Sequence, residues 1–321
     1  MEKRPARKRQ DISIDNTGFS PNSNAEGERL TNKDGSINLR KIGVPFYERI
    51  SVYHTMLRMS RPIFILTVFC VYTTLNLIFA CIYFSLGRES LSGTQVPDTI
   101  TERFLQAFFF SSQTLTTVGY GHISPSGFVT NVVASLESFI GIMSFALVTG
   151  MFYARFSRPE AFIRFSHNFL VAPFKGGRAL MFRLATFKNN HLTDAEAQIT
   201  AAVRVEENGK IVTKFFPLIL EINRINSLAL SWTVVHPLDA KSPFADYAEH
   251  DFYNNKIEMM VTIKAFDDHF SNTVQQRTSY NRDEMVYGAK YIPMYERAES
   301  GAYTELRLNK IDAYEKMSLP E

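Results

Sequence analysis

The 321-residue chain carries 35 Lys and Arg against 32 Asp and Glu, a net charge of +3, with 45% hydrophobic, 21% charged and 13% aromatic residues, Phe alone numbering 27. A mean hydropathy of −0.11 describes, as an average, a soluble protein of two modest domains, yet no charge falls between Arg61 and Arg88, and Gly127 to Ala154 holds only Glu137. At about 1.5 Å per residue each run exceeds the roughly 30 Å apolar thickness of a bilayer, which excludes a purely soluble protein, a collagen-like chain and a disulfide-rich secreted module.

Residues 1–40 are polar and lack apolar periodicity, which predicts a largely disordered tail. Its basic start (Lys3, Arg4, Arg7, Lys8, Arg9) has no apolar core behind it and is no secretory signal. It is a solvated tail or a segment that touches anionic headgroups. Over 41–60, Phe46, Ile50, Tyr53 and Leu57 recur at helical spacing, with Arg49, Ser51, His54 and Arg58 largely elsewhere on the wheel. A short amphipathic helix just before a hydrophobic span fits the membrane surface, with Arg58 and Arg61 at headgroup level. The alternative is packing on another protein segment.

The region 61–157 reads as a pore domain. A first span runs from Pro62, suited to a helical first turn, to Leu86. Cys70 and Cys81 lie inside it and read as small buried residues. The stretch Thr99 to Thr117 is too short and polar to span; Thr99 and Glu102 have capping-box spacing, so a helix is expected over Thr101 to Leu115. A second span runs from Gly127 to Phe156. Basic residues precede the first span (Arg40, Lys41, Arg49, Arg58, Arg61) and follow the second (Arg155, Arg158, Arg164), against Arg88 and Arg103 between them. That bias puts both termini in the cytoplasm of a multi-pass protein. The +3 charge is thus an uneven distribution rather than a sign of nucleic-acid binding.

Residues 158–321 change texture. Ala179 to Phe187, Ile199 to Val205, Ile211 to Phe216, Ala229 to Val235 and Ile257 to Ala265 read as strands, separated by turn signals at Gly176-Gly177, Asn208-Gly209, Pro237 and Pro243. An all-β sandwich is the natural class.

Between the spans stands Thr116-Thr117-Val118-Gly119-Tyr120-Gly121. A backbone that aims successive carbonyls at one axis must alternate between ordinary and left-handed conformations, and glycine at 119 and 121 removes the steric cost. Carbonyls of Thr117, Val118, Gly119 and Tyr120, with the Thr117 hydroxyl, can replace the water shell of K⁺. One chain supplies a quarter of each oxygen ring, so the segment predicts a homotetramer. The preceding helix points its negative end at the cation, wedged by Phe104, Phe108, Phe109 and Phe110. A lone Gly-x-Gly is weak, but no strand precedes it and no third glycine follows, so it is no dinucleotide loop. No cofactor other than permeant K⁺ is implied, and no phosphate loop, zinc-spaced His pair or nucleophile motif points to an enzyme.

These residues resemble the potassium-channel signature. The order of surface helix, two spans, one filter and a large β domain is similar to the inward-rectifier potassium channels, most closely their prokaryotic branch. Met181 to Ala185, Leu230 to Pro237 with Ser242-Pro243, and Arg277 to Tyr280 with Glu284 and Gly288 resemble that family's cytoplasmic runs. The resemblance covers roughly residues 41–300 and implies an immunoglobulin-like cytoplasmic sandwich, a homotetramer and a cell (inner) membrane location. A membrane-tethered receptor with a vestigial pore is the rival reading, which flux through the wild type decides.

On the second span, Gly141, Phe145, Thr149 and Phe152 share one face, with Tyr153 one step around. A bulky ring in four copies can close a dry constriction. The wheel does not choose between Phe152 and Tyr153; the resemblance places the gate at Tyr153. Gly141 and Gly150 are hinges or close-packing positions. Against the wider family, Phe145 stands where strong rectifiers carry an acid, Lys210 replaces a cytoplasmic acid, and Gln113 replaces a pore-helix glutamate. The first two imply weak rectification; the third removes a charged brace behind the filter. Glu137 is a candidate brace or a protonated structural group. Arg49, Arg58, Arg61, Arg155 and Arg158 stand where anionic lipid phosphates would be. The resemblance implies lipid-sensitive gating of unassigned sign, and any cytoplasmic ligand stays unnamed.

Overall fold

The computed structural model describes residues 29–45, 51–94, 99–207, 210–298 and 303–320. The chain divides into two compact units, Ile42–Arg158 and a second made of Pro159–Glu321 with the N-terminal residues up to Lys41.

In the first unit, α1 (Val52–Arg58) begins at Ser51, whose hydroxyl accepts from the His54 amide. The expected start near Phe46 lies outside the described residues, as does Arg49. α2 (Arg61–Ser85) takes Pro62 in its first turn. Its hydroxyls at Thr67, Thr73 and Thr74 each donate to the carbonyl four residues back, at 2.8–2.9 Å. That internal bonding is what lets a polar side chain sit in an apolar span. Cys70 and Cys81 are exposed on this helix rather than buried; in a single chain their surface is free for lipid or another protein. After β1 (Leu91–Ser92), α3 (Ile100–Leu115) starts on Thr99, which accepts from the Glu102 amide at 3.2 Å. β2 (Ser124–Pro125) pairs antiparallel with β1, and α4 runs from Phe128 to Phe156. Among the described residues, α2 and α4 are the two helices long and apolar enough to cross a membrane. Phe79, Ala80, Tyr83, Ala107, Phe110 and Ala134 form the buried core that joins α2, α3 and α4. The aromatic wedge is partial: Phe110 is buried and Phe104 and Phe108 pack on the core, while Phe109 is exposed.

The second unit is a two-sheet sandwich. In chain order the strands of its two large sheets are β3 (Ile163–Phe165), β4 (Phe169–Phe174), β5 (Gly177–Thr186), β6 (Leu192–Glu207), β7 (Lys210–Pro217), β8 (Arg224–Ser227), β9 (Ser231–Pro237), β10 (Ile257–Asp267), β11 (Asn272–Tyr280) and β12 (Met285–Tyr287), with a short helix α5 (Glu249–Asn254) before β10; two antiparallel pairs follow, Ala289–Tyr291 with Tyr314–Lys316 and Tyr295–Arg297 with Thr304–Leu306. One five-stranded sheet is ordered β11-β10-β6-β7 with β8 beside β6; the other is β12-β4-β5-β3 with β9 beside β5. Inward residues of both sheets, among them Leu180, Phe182, Leu184, Trp232, Val234, Ala197, Ile199, Ala201, Met259, Val261 and Ile263, meet in one buried core. The five expected strands correspond to β5, β6, β7, β9 and β10. β11, which the sequence reading passed over, is the polar edge strand: Gln275, Gln276 and Arg277 take its middle, and it pairs from Asn272 to Tyr280 with β10.

Residues 29–38 correct the expectation of a disordered tail to residue 40. They lie against the sandwich as a strap closed by the Thr31↔Ile37 bridge. The Glu258 carboxylate accepts the amides of Leu30 and Thr31 at 2.6 and 2.8 Å. Arg29 pairs with Glu284, Thr278 donates to the Lys33 carbonyl at 2.9 Å, and the Lys33 ammonium stands 3.6 Å over the Tyr280 ring. Burial pulls Lys33 down to about 8 and pushes Glu258 up. Gly35 approaches Arg277 so closely that a Cβ would stand 2.5 Å from its carbonyl oxygen. Polar pairing holds the strap, and hydropathy does not register it. Residues 1–28 lie outside the described residues.

Candidate functional site between the two spans

α3 ends at Leu115, and the chain then reverses through 116–121. The left-handed conformations fall at Thr117 (φ 59°), Gly119 (φ 53°) and Gly121 (φ 79°), with Val118 and Tyr120 between them in ordinary regions. Gly119 and Gly121 are as expected. Thr117 is the addition: a β-branched residue there costs about 1–2 kcal/mol, and spacing of glycines carries no signal for it. The Val118 and Gly119 amides both donate to the Gln113 carbonyl, at 3.0 and 3.3 Å. The reversed segment therefore hangs from the last turn of α3, whose Ser112, Gln113 and Thr114 carbonyls accept the amides of residues 116–119 at the end of the helix that carries its partial negative charge. Every residue from Thr116 to His122 apart from its backbone neighbours is exposed in the single chain, Tyr120 by 79%.

Behind the segment, Glu137 on α4 is fully buried. Its two carboxylate oxygens accept from Ser111 on α3 at 2.5 Å and from the Tyr83 hydroxyl on α2 at 2.6 Å. The Ser111 hydroxyl also lies 3.2 Å from the Asn76 side-chain oxygen. A buried carboxylate costs several kcal/mol unless both oxygens are engaged, and here both are. These partners are not legible in the sequence, since they come from two other helices, α2 and α3. One turn on, Gly141 meets the end of α3: a Cβ would fall 2.0 Å from the Leu115 carbonyl oxygen. Gly141 is thus a close-packing position against α3. Gly150 has open space around it within the chain.

Farther along α4, Phe145, Thr149 and Tyr153, four residues apart, are all exposed, Phe145 by 75% and Tyr153 by 74%. Phe152 differs. Its ring packs edge-on to Phe64 of α2 with centroids 5.1 Å apart and stacks on Phe156 at 6.2 Å. The two rings that the wheel left open are therefore separated by packing: Phe152 braces the outer helix, and Tyr153 is free.

Arg155 also departs from its expected place among the lipid-facing arginines. Its guanidinium donates to the Met56 and Met59 carbonyls at 2.5 and 2.7 Å and lies 4.5 Å over the Phe64 ring, so it caps the C-terminus of α1. Arg58, Arg61 and Arg158 are exposed. In the sandwich, His236 is buried and bonded on both ring nitrogens, to the Ile219 carbonyl at 2.6 Å and the Ser242 hydroxyl at 2.8 Å, a structural arrangement.

Two family models match the chain: an ion channel model over residues 63–158 and the inward rectifier potassium channel C-terminal domain over residues 163–321. The inward rectifier potassium channel Kirbac3.1 of Paramagnetospirillum magnetotacticum is 30% identical over 279 residues, 86% of this chain and 92% of that protein. The chain belongs to the inward-rectifier potassium channel family. It is a membrane channel protein and no enzyme, and its two spans and β sandwich are that family's pore and cytoplasmic parts. A solved structure of Pseudomonas fluorescens alkylpurine DNA glycosylase AlkC bound to DNA containing an abasic site analog is 10% identical, with 57% of this chain and 48% of that one covered; its TM-score of 0.17 carries no argument.

Proposed function

We propose that four copies of the chain surround one K⁺-selective pore, with Thr117 to Gly121 as the selectivity filter. The carrying observation is the alternation of hand at Thr117, Gly119 and Gly121, which turns the carbonyls of Thr117, Val118, Gly119 and Tyr120 to one side as K⁺ ligands. A tetramer follows from two features of the single chain: the filter is exposed, and an apolar groove of about 740 Å³ opens beside it, lined in part by Phe69, Leu75, Thr117, Phe145 and Val148. Non-helical backbone at membrane depth needs protein around it, and a neighbouring copy supplies that. K⁺ is the permeant ion, and no resident cofactor is required.

Tyr153 is the inner gate of this reading, with Phe145 and Thr149 lining the cavity and Gly141 behind the lining. The absence of an acid at Phe145 makes rectification by Mg²⁺ or polyamines weak. Arg58, Arg61 and Arg158 face anionic headgroups and tie gating to the lipid, both termini being cytoplasmic and the membrane the cell's inner one. The purified channel in liposomes is expected to take up ⁸⁶Rb⁺ against Na⁺, and Gly119→Asp to abolish the uptake. Equal Rb⁺ and Na⁺ permeability would sink the selectivity. Graded anionic lipid in the same vesicles reads the lipid dependence, and an unchanged dose response after charge removal at Arg58, Arg61 and Arg158 would remove them from the lipid site.

A further inference from the structure

We infer that Glu137 is a positioning residue for ion selection, acting on the filter through the body of α3. The inference rests on the filter reading above and deepens it. Three connections, all within one unit, make the path. Glu137 holds Ser111 at 2.5 Å. Gly141, on the same face of α4 one turn on, sits directly against the Leu115 carbonyl. Gln113, between those two points, carries on its carbonyl the amides of Val118 and Gly119. The last turns of α3 are thus pinned at two heights to α4, and the filter backbone hangs from the pinned segment.

The second carboxylate oxygen adds an anchor outside this pair. It accepts from Tyr83, whose ring packs edge-on to Phe110 of α3 at 4.9 Å. One carboxylate thereby fixes the distances among α2, α3 and α4. A rigid helix transmits a sub-ångström displacement of Ser111 to Gln113 about half a turn away. The filter's carbonyl ring is the part of the molecule where such a displacement changes which cation fits. The pore-helix residue itself, Gln113, has its backbone engaged in this way, and the carboxylate enters from α4 instead.

The test compares wild type with Ser111→Ala, Glu137→Gln and the double variant in liposomes, reading the Rb⁺/Na⁺ flux ratio and block by Ba²⁺. Ser111→Ala removes only the hydroxyl and keeps a strong helix former, so assembly is preserved even where larger changes at Glu137 fail to fold. We expect a several-fold loss of the flux ratio in each single variant, a parallel loss of Ba²⁺ affinity, and little loss beyond that of Glu137→Gln when the two are combined, since both disturb the same Glu137–Ser111 contact. Tetramers with wild-type flux ratio and Ba²⁺ block, even if less heat-stable, would overturn the inference and leave Glu137 structural. A non-selective wild type would fail the filter reading itself, a separate outcome from variants that match a selective wild type.

Discussion

Single side chains in this molecule are assigned by their partners more than by their type. Arg155 is spent on two backbone carbonyls at the end of α1 and on the Phe64 face, where its charge opposes the helix's negative end. His236 is held neutral: Nδ1–H donates to Ile219 and Nε2 accepts from Ser242, whose oxygen also accepts the Phe244 amide. Burial lowers its pKa from 6.5. As pH falls below 6.5, the unfolded chain takes up the proton first, so stability drops until the folded-state value is also passed. The heat-denaturation midpoint of the solubilised channel is therefore expected to fall by a few degrees between pH 7.5 and 5.5. His236→Asn, which keeps a donor for Ile219, should flatten that slope; parallel slopes for the two proteins would refute it.

At the scale of the element, α4 carries two faces with different work. One packs through Glu137, Gly141 and Phe152; the other presents Phe145, Thr149 and Tyr153 to whatever lies beyond the chain. Truncating each ring separates the roles. Phe152→Ala loses an edge-on aromatic contact and part of a buried ring, about 2 kcal/mol per chain, and lowers the denaturation midpoint with modest change in gating. Tyr153→Ala removes a ring that is 74% exposed in the single chain, and single-channel recording should give a several-fold higher open probability. The opposite pattern would reassign the gate to Phe152. The strap at 29–38 shows the same dependence on partners. Its residues are those of a disordered segment by composition, yet Glu258 and Glu284 supply acceptors for its amides and for Arg29.

Over the whole molecule, the permeation path is set by which charges reach the axis. Phe145 leaves the inner cavity of the proposed tetramer without carboxylates, so the current–voltage relation with internal Mg²⁺ or spermine should be nearly linear. Phe145→Asp places four carboxylates there and is expected to increase rectification tenfold or more, since a ring of like charges in a confined, poorly solvated space binds polyvalent cations strongly. An unchanged relation in the variant would place Phe145 away from the axis.

Much of this was legible in the sequence because periodicity and charge report directly on solvent. One charge-free run and a second interrupted only by Glu137 marked the two long helices, alternation marked β5, β6, β7, β9 and β10, although β6 begins at Leu192 rather than at the expected Ile199, and glycines at 119 and 121 marked two of the three left-handed positions of that segment. The strands β3, β4, β8, β11 and β12 and the strap escaped: β11 and the strap are held by hydrogen bonds and ion pairs that leave no apolar pattern, and the other four strands have three to six residues, too few to show an alternation. Only the tertiary structure packed Phe152 against Phe64 and left Tyr153 exposed, gave Gly141 its close contact, turned Arg155 inward and joined Glu137 to Ser111 and Tyr83. Helical spacing fixes which residues share a face, but the partner of a buried ring or carboxylate comes from elements 26 and 54 residues away, and that meeting is set by packing.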